Sequence, residues 1–275
     1  MTMLPAFLAN LQGAFLPETN ADPGFASYKD NTLIFKKSTD GQKNIIIDGK
    51  TPSLDIRIAK NVSVDLHIIV WAGTSGSTGF RFKLAPYASA TLLFTFLGNK
   101  NRTVIDSYSL REGAKLSICK GIIHSGNFTM QQKIDLEGAF AEAKQELFLA
   151  ASGIDSVDLT EIINHRGQDT VSEMENNLVS VDRGNIFLQV TGKIDKGMHR
   201  SSCRQQNRGI ILSEQAAIEV DPQLLIDDYD VDARHGAAIG EINEDELFYL
   251  LSRGLDEESA KKLIVSGYVK PYLDK

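Results

Sequence analysis

From about Thr32 to Leu212, apolar residues recur at every second position in runs too short for helices. Val62, Val64, Leu66, Ile68 and Val70 alternate with Ser63, Asp65 and His67. Phe128, Met130, Gln132, Ile134 and Leu136 form a second such run, and Ile186, Leu188, Val190, Gly192 and Ile194 a third. Side chains on a strand point to alternate faces, so this period describes strands with one buried face. Turn signals separate the runs at Asp40-Gly41, Asp48-Gly49, Gly73 to Gly79, Gly98-Asn99, Glu112-Gly113, Gly126-Asn127 and Arg183-Gly184. No stretch here has the caps and 3.6-residue period of a long helix, and the region reads as all-β. Sandwich, barrel and solenoid all satisfy the pattern. Strands at this density over ~180 residues exceed a usual sandwich of ~100, and no strict sequence repeat announces a solenoid.

The 275 residues suffice for a substantial core in one large or two ordinary domains. An apolar share of 42% and a charged share of 24% are those of a soluble globular protein. No apolar run reaches the ~18 residues of a membrane helix, and the start, MTMLPAFLANLQGAF, lacks the basic end and apolar core of a signal peptide. Two cysteines, Cys119 and Cys203, are too few for a disulfide framework and suit a reducing cytosol. The net charge of −7 is uneven: residues 214–275 hold 15 acidic and 6 basic residues, a balance of −9. An acidic C-terminal part on a nearly neutral body argues against a nucleic-acid partner. It fits either a basic protein partner or a solvated acidic face.

The segment 241–275 changes character. Asn243 stands as an N-cap with Glu246 three residues on, and Leu247, Phe248, Leu250 and Leu251 give an apolar stripe that ends at Gly254. Asp256 caps a second helix, in which Ala260, Leu263 and Ile264 face inward and Gly267 marks the end. The pair is the size of a docking element. At the other end, Leu4, Phe7, Leu8, Leu11 and Phe15 have helical spacing within a short segment, 1–25.

Residues 221–268, DPQLLIDDYDVDARHGAAIGEINEDELFYLLSRGLDEESAKKLIVSGY, resemble the C-terminus of the SufB/SufD family, the non-ATPase subunits of the Suf iron–sulfur cluster assembly complex. The SufD branch is the closer in pattern. Where the family carries Cys-Ser-His-Gly-Ala, this chain reads Ala233-Arg234-His235-Gly236-Ala237 and lacks the cysteine. Upstream, His165 with Thr170 and Ser172, Gly192-Lys193-Ile194, and Cys203 to Ser213 are also similar to family stretches. Before residue 150 the likeness is little more than β-richness. The resemblance implies a right-handed parallel β-helix over 26–240, a C-terminal ATPase-docking region over 241–275 whose helices sit where a solenoid cap would, and an N-terminal segment shorter than that of characterised relatives.

The resemblance also implies a function: a cytoplasmic, non-enzymatic scaffold. It would dock the SufC ABC-type ATPase through its C-terminal helices and pair at the β-helix end with SufB or a second copy of itself. Phe248, Tyr249, Arg253 and Glu257 become the docking candidates. His235 becomes a possible iron or cluster ligand shared with a partner subunit, since imidazole suits iron. Clusters are usually held by four thiolates, so the chain alone is expected to hold no cofactor and at most to share a transient cluster. Cys119 reads as a buried structural thiol at the start of a turn at Lys120-Gly121, and Cys203 as core filling. The acidic run 221–232 lacks the glycine and glutamate of a calcium loop, and TSGSTGF lacks the Lys-Ser/Thr of a phosphate loop. A second reading, a β-helix enzyme acting on carbohydrate, would rest on Asp135 with Glu137 or Asp155 with Asp158 as paired carboxylates.

Overall fold

The computed structural model describes residues 15–17, 23–47 and 53–273. In chain order its strands are β1 (Ser27–Lys29), β2 (Thr32–Phe35), β3 (Lys43–Ile47), β4 (Ser53–Ile58), β5 (Ser63–Ala72), β6 (Gly76–Leu84), β7 (Ser89–Gly98), β8 (Arg102–Leu110) and β9 (Lys115–His124). They continue with β10 (Phe128–Leu136), β11 (Glu142–Ala151), β12 (Ser156–His165), β13 (Val171–Ser180), β14 (Asn185–Ile194), β15 (Ser201–Ile211), β16 (Ala217–Ile226) and β17 (Val231–Glu241). Helices α1 (Glu244–Ser252) and α2 (Glu257–Leu273) follow.

Successive strands go to different sheets. From β2 on, even-numbered strands build one parallel sheet and odd-numbered strands the other, so each coil gives one strand to each. The exception in direction is β1, antiparallel to β2. This is a parallel β-solenoid: strands that cannot bury their apolar face alone bury it against the opposite sheet and the adjacent coils. Ser63 pairs with Ser89 and Ser89 with Lys115, a step of 26 residues; by Val171 to Ser202 the step is 31.

The repeat is written in turn geometry. Asn61, Tyr87, Gly113, Phe140, Asp169 and Arg200 have φ between +56° and +60°, one per coil. Each donates its N–H to a carbonyl of the next coil's turn, as Tyr87 does to Glu112 at 2.8 Å. The coils stack so closely here that a Cβ on Gly138 would lie 2.0 Å from the Glu112 nitrogen, and one on Gly167 would lie 2.4 Å from the Gly138 oxygen.

The interior is apolar over the early coils, where Phe80, Phe82, Phe94, Phe96 and Phe128 pack in edge and stacked pairs. The N-terminal helical candidates Leu4, Phe7, Leu8 and Leu11 lie outside the described residues. Phe15 is buried and bridges Ile45 in extended backbone, against Phe25 and Tyr28.

The helices begin as their caps dictate. Asn243 Oδ1 accepts from the Asp245 and Glu246 amides, and Asp256 Oδ1 from the Ser259 amide at 2.8 Å. Gly254, at φ +90°, closes α1 in a Schellman turn, with Leu255 N–H on Leu250 O and Gly254 N–H on Leu251 O. Two expectations fail. First, α2 runs through Gly267 to Leu273, because Tyr268, Val269 and Tyr272 beyond it pack on the solenoid and offset the ~1 kcal/mol cost of a helical glycine. Leu263 is 52% exposed, and Ile264 takes the inward role.

Second, the hairpin does not cap the end. α2 lies along the outer face of the odd-strand sheet, where Phe148, Val179 and Ile210 offer an apolar strip. In the last coil no strand residue is buried: β16 is mostly half-buried and β17 mostly exposed.

Candidate functional site

The open end is the first place to look. Strand parity puts His235 on the inward side of β17, in register with Gln205 on β15. With no coil beyond, His235 is exposed. It lines a groove of about 490 Å³ with Met174, Gln205, Asn207 and Gly236. Ala233 pairs with Cys203, so the nearest thiol on this face lies one coil back, and it is fully buried. Burial pushes that thiol up, partly opposed by a hydrogen bond from Ser172. β16 and β17 are the edge strands of their sheets.

Behind that end runs a file of buried polar side chains. Lys120 Nζ contacts Asp106 Oδ2 at 2.6 Å and also hydrogen-bonds Gln132, and Asp106 accepts from the Tyr108 hydroxyl at 2.8 Å. Gln132 donates to Gln145, and Gln145 to Glu161. Asn176 Nδ2 reaches Glu161 at 3.1 Å and Asn207 at 2.9 Å, and Asn207 Nδ2 donates to the Gly236 carbonyl at 3.2 Å. The file thus connects a fully buried ion pair to the residue after His235. Lys120 is not in a turn but mid-strand, and its charge is tolerated inside because Asp106 and Gln132 satisfy it. Burial pushes the Glu161 carboxyl up to about 7, against the pull of Lys120, Asn176 and Gln145. His165 bonds Thr170 and Ser172, each at 2.8 Å, and burial holds its imidazole down to about 4.

Sequence reasoning missed Lys120, Asp106 and Glu161 as interior groups. The signal was present: each holds the inward phase of a period-two run, as Lys120 does between Ile118 and Ile122.

The hairpin is the second place. α1 has no buried residue. Phe248 is 71% and Tyr249 55% exposed, so neither is buried on the solenoid. Arg253 lies over the Tyr249 ring, 5.1 Å from its centroid, and Glu257 pairs with Lys261 at 2.6 Å. Tyr249, Leu250, Leu263 and Ile264 line an apolar groove rimmed by Asp245 and Glu246. His235 belongs to the terminal strand and the four docking candidates to the hairpin; the fold gives them separate elements.

Other candidates are accounted for locally. Asp135 is held by Lys133, Arg166 and Asn164, and Glu137 by Arg111. Cys119 is buried. No group of three or more His, Cys, Asp or Glu placed to hold a metal occurs among the described residues. No helix among them is long and apolar enough to cross a membrane.

Fold and site together define a parallel β-solenoid with an open polar end and a helical hairpin mounted on its flank. Residues 84–268 match the family model described as the SufBD core domain of the SUF system for FeS cluster assembly. The chain belongs to the SufB/SufD family. It is similar to the iron–sulfur cluster assembly protein SufD of Bacillus subtilis, 27% identical over 176 residues, which is 62% of this chain and 40% of that protein. It is also similar to a SufBD family protein of Pyrococcus horikoshii, 50% identical over 64 residues (23% and 14%). A third is the SufBD family protein of Methanothermobacter thermautotrophicus, 32% identical over 105 residues (38% and 25%). The aligned stretches span less than half the length of each of these relatives. The model match begins well upstream of the motifs legible by eye.

Proposed function

We propose that this chain is a non-enzymatic scaffold subunit of a Suf-type complex that assembles iron–sulfur clusters in the cytoplasm. A SufC-like ABC ATPase docks on the hairpin, and a SufB-like subunit or a second copy of this chain pairs at the open end. Neither nucleic acid nor membrane enters this reading. The observation that carries it is the hairpin: family membership implies partners, and α1 leaves Phe248, Tyr249 and Leu251 exposed beside an apolar groove. Aromatic residues with an arginine are the usual anchors of an interface. The open end supports the second contact, because edge strands present unpaired backbone groups to another chain. His235 stands there as a ligand for iron or a cluster in passage. The buried Cys119 and Cys203 cannot complete a thiolate set, so a cluster forms only with a partner's ligands. Of the carboxylate pairs a carbohydrate enzyme would use, Asp135 and Glu137 are held in ion pairs and Asp155 is buried against the Gly126 amide, and that reading is set aside.

Alanine at both Phe248 and Tyr249 tests the docking role. Affinity for the co-purified ATPase, measured by titration calorimetry, should fall at least about 30-fold, equivalent to ~2 kcal/mol for two anchor side chains. Unchanged affinity would place the ATPase elsewhere.

A further inference from the structure

Near its C-terminal end, α2 inserts a ring into the surface of the sheet. Tyr272 sits directly over Gly121 of β9: a Cβ added to Gly121 would lie 2.2 Å from the tyrosine Cζ and 2.4 Å from Cε2. The tyrosine hydroxyl is 2.6 Å from Thr95 Oγ1 on β7, which is in turn 2.8 Å from His67 Nε2 on β5. On the other side the ring stacks near Phe148 of β11, with centroids 6.5 Å apart and planes at 28°. One side chain therefore engages three neighbouring coils directly and a fourth through Thr95. The Cys119 thiol, outward-facing on β9 and 6% exposed, is close enough to bear on the tyrosine hydroxyl.

The remaining hold of α2 on the sheet is apolar. Ile264, Val265, Tyr268 and Val269 lie against Phe148, Val179 and Ile210. Such contacts are non-directional and would tolerate a helix slid by a residue, about 1.5 Å along its axis. The tyrosine seat would not, because it combines a fitted shape with a hydrogen bond.

The geometry points to Tyr272 and Gly121 as a latch that positions the C-terminal helix on the flank of the solenoid. α1 has no buried residue and packs chiefly on α2, so the latch also sets where α1 stands. Its role in presenting α1 to an ATPase rests on the function proposed above; the seat itself does not. Tyr272 and Gly121 are positioning residues: they fix the hairpin and take no part in chemistry. Through the tyrosine seat a load applied to the hairpin reaches β7, β9 and β11, in addition to the apolar strip on β11, β13 and β15.

The test is a bump-and-hole cycle on the full chain, read by the two cysteines with a small aromatic disulfide reagent. Cys119 lies outside the sheet beneath the helix, while Cys203 faces the core and reports unfolding of the coils. Gly121→Ala should speed Cys119 labelling about tenfold or more, with Cys203 unchanged, because the helix opens locally. Tyr272→Ala should do the same, and Tyr272→Phe should keep most of the protection. The double variant Gly121→Ala/Tyr272→Ala should label no faster than Tyr272→Ala alone, since the added methyl no longer meets a ring.

Three results would overturn the latch: Cys119 still protected in Gly121→Ala, effects that multiply in the double variant, or both thiols exposed together. ATPase binding by Gly121→Ala, assayed alongside, separates the two ideas. A released helix that still binds with full affinity removes the latch's role in presentation. An intact latch with no ATPase binding by the wild type counts against the docking function alone.

Discussion

Replacing Lys120 by methionine should lower stability to urea by about 3–5 kcal/mol, the usual cost of leaving one partner of a buried ion pair uncompensated. Lys120 and Asp106 are both fully buried, 2.6 Å apart, and Lys120 also satisfies Gln132. Methionine keeps the length of the side chain but leaves the Asp106 carboxylate with the Tyr108 hydroxyl as its remaining hydrogen-bond donor among the contacts described. The double variant Lys120→Met/Asp106→Leu should recover most of the loss, because an apolar replacement of both charges is often neutral. A single variant that costs less than ~1 kcal/mol would show that water reaches this pair in the folded protein.

The second large effect is a cancellation that one substitution exposes. His165 is held down to about 4 from 6.5, and Glu161 is pushed up to about 7 from 4.5, each chiefly by burial. Between pH 4.5 and 6.5 the unfolded chain protonates His165 while the native state does not, so this group makes stability rise with pH. Over the same window the native state protonates Glu161 while the unfolded chain does not, so stability falls with pH. Each slope is ~1.4 kcal/mol per pH unit, and they oppose. Glu161→Gln leaves the histidine slope alone: relative to wild type, its stability should climb by about 2–3 kcal/mol from pH 4.5 to 6.5. Urea midpoints collected across that range check it, and parallel wild-type and variant curves would contradict it.

These groups also show what the sequence could and could not say. The period-two runs placed the strands and, read strictly, their inward residues. Lys120 followed by Gly121 reads as the start of a turn, although its phase with Ile118 and Ile122 points it inward. The coil repeat leaves no motif in the sequence because it lives in backbone conformation. Asn61, Tyr87, Gly113, Phe140, Asp169 and Arg200 share a left-handed φ and nothing chemical.

The caps of both helices were legible at Asn243, Gly254 and Asp256, since those signals are local. Where the hairpin packs was not. An apolar stripe says that a helix needs a surface, and here the surface is assembled from Phe148, Val179 and Ile210, roughly thirty residues apart in the chain. Of the candidate site, His235 and the docking side chains were read from the family pattern. The buried file that leads to the neighbour of His235 required the structure, because its members meet only when two sheets face each other.

The claim on which this reading depends is that the lateral hairpin holds a nucleotide-driven partner. Its most direct measurement is the light-scattering mass of the complex recovered after co-expression with an ABC-class ATPase, for the full chain and for a chain ending at Ile242. The full chain should elute at the summed mass of both proteins, and the shortened chain should elute without the ATPase while retaining its β-sheet circular dichroism. A shortened chain that keeps the ATPase, or a full chain that never holds it, would contradict the reading.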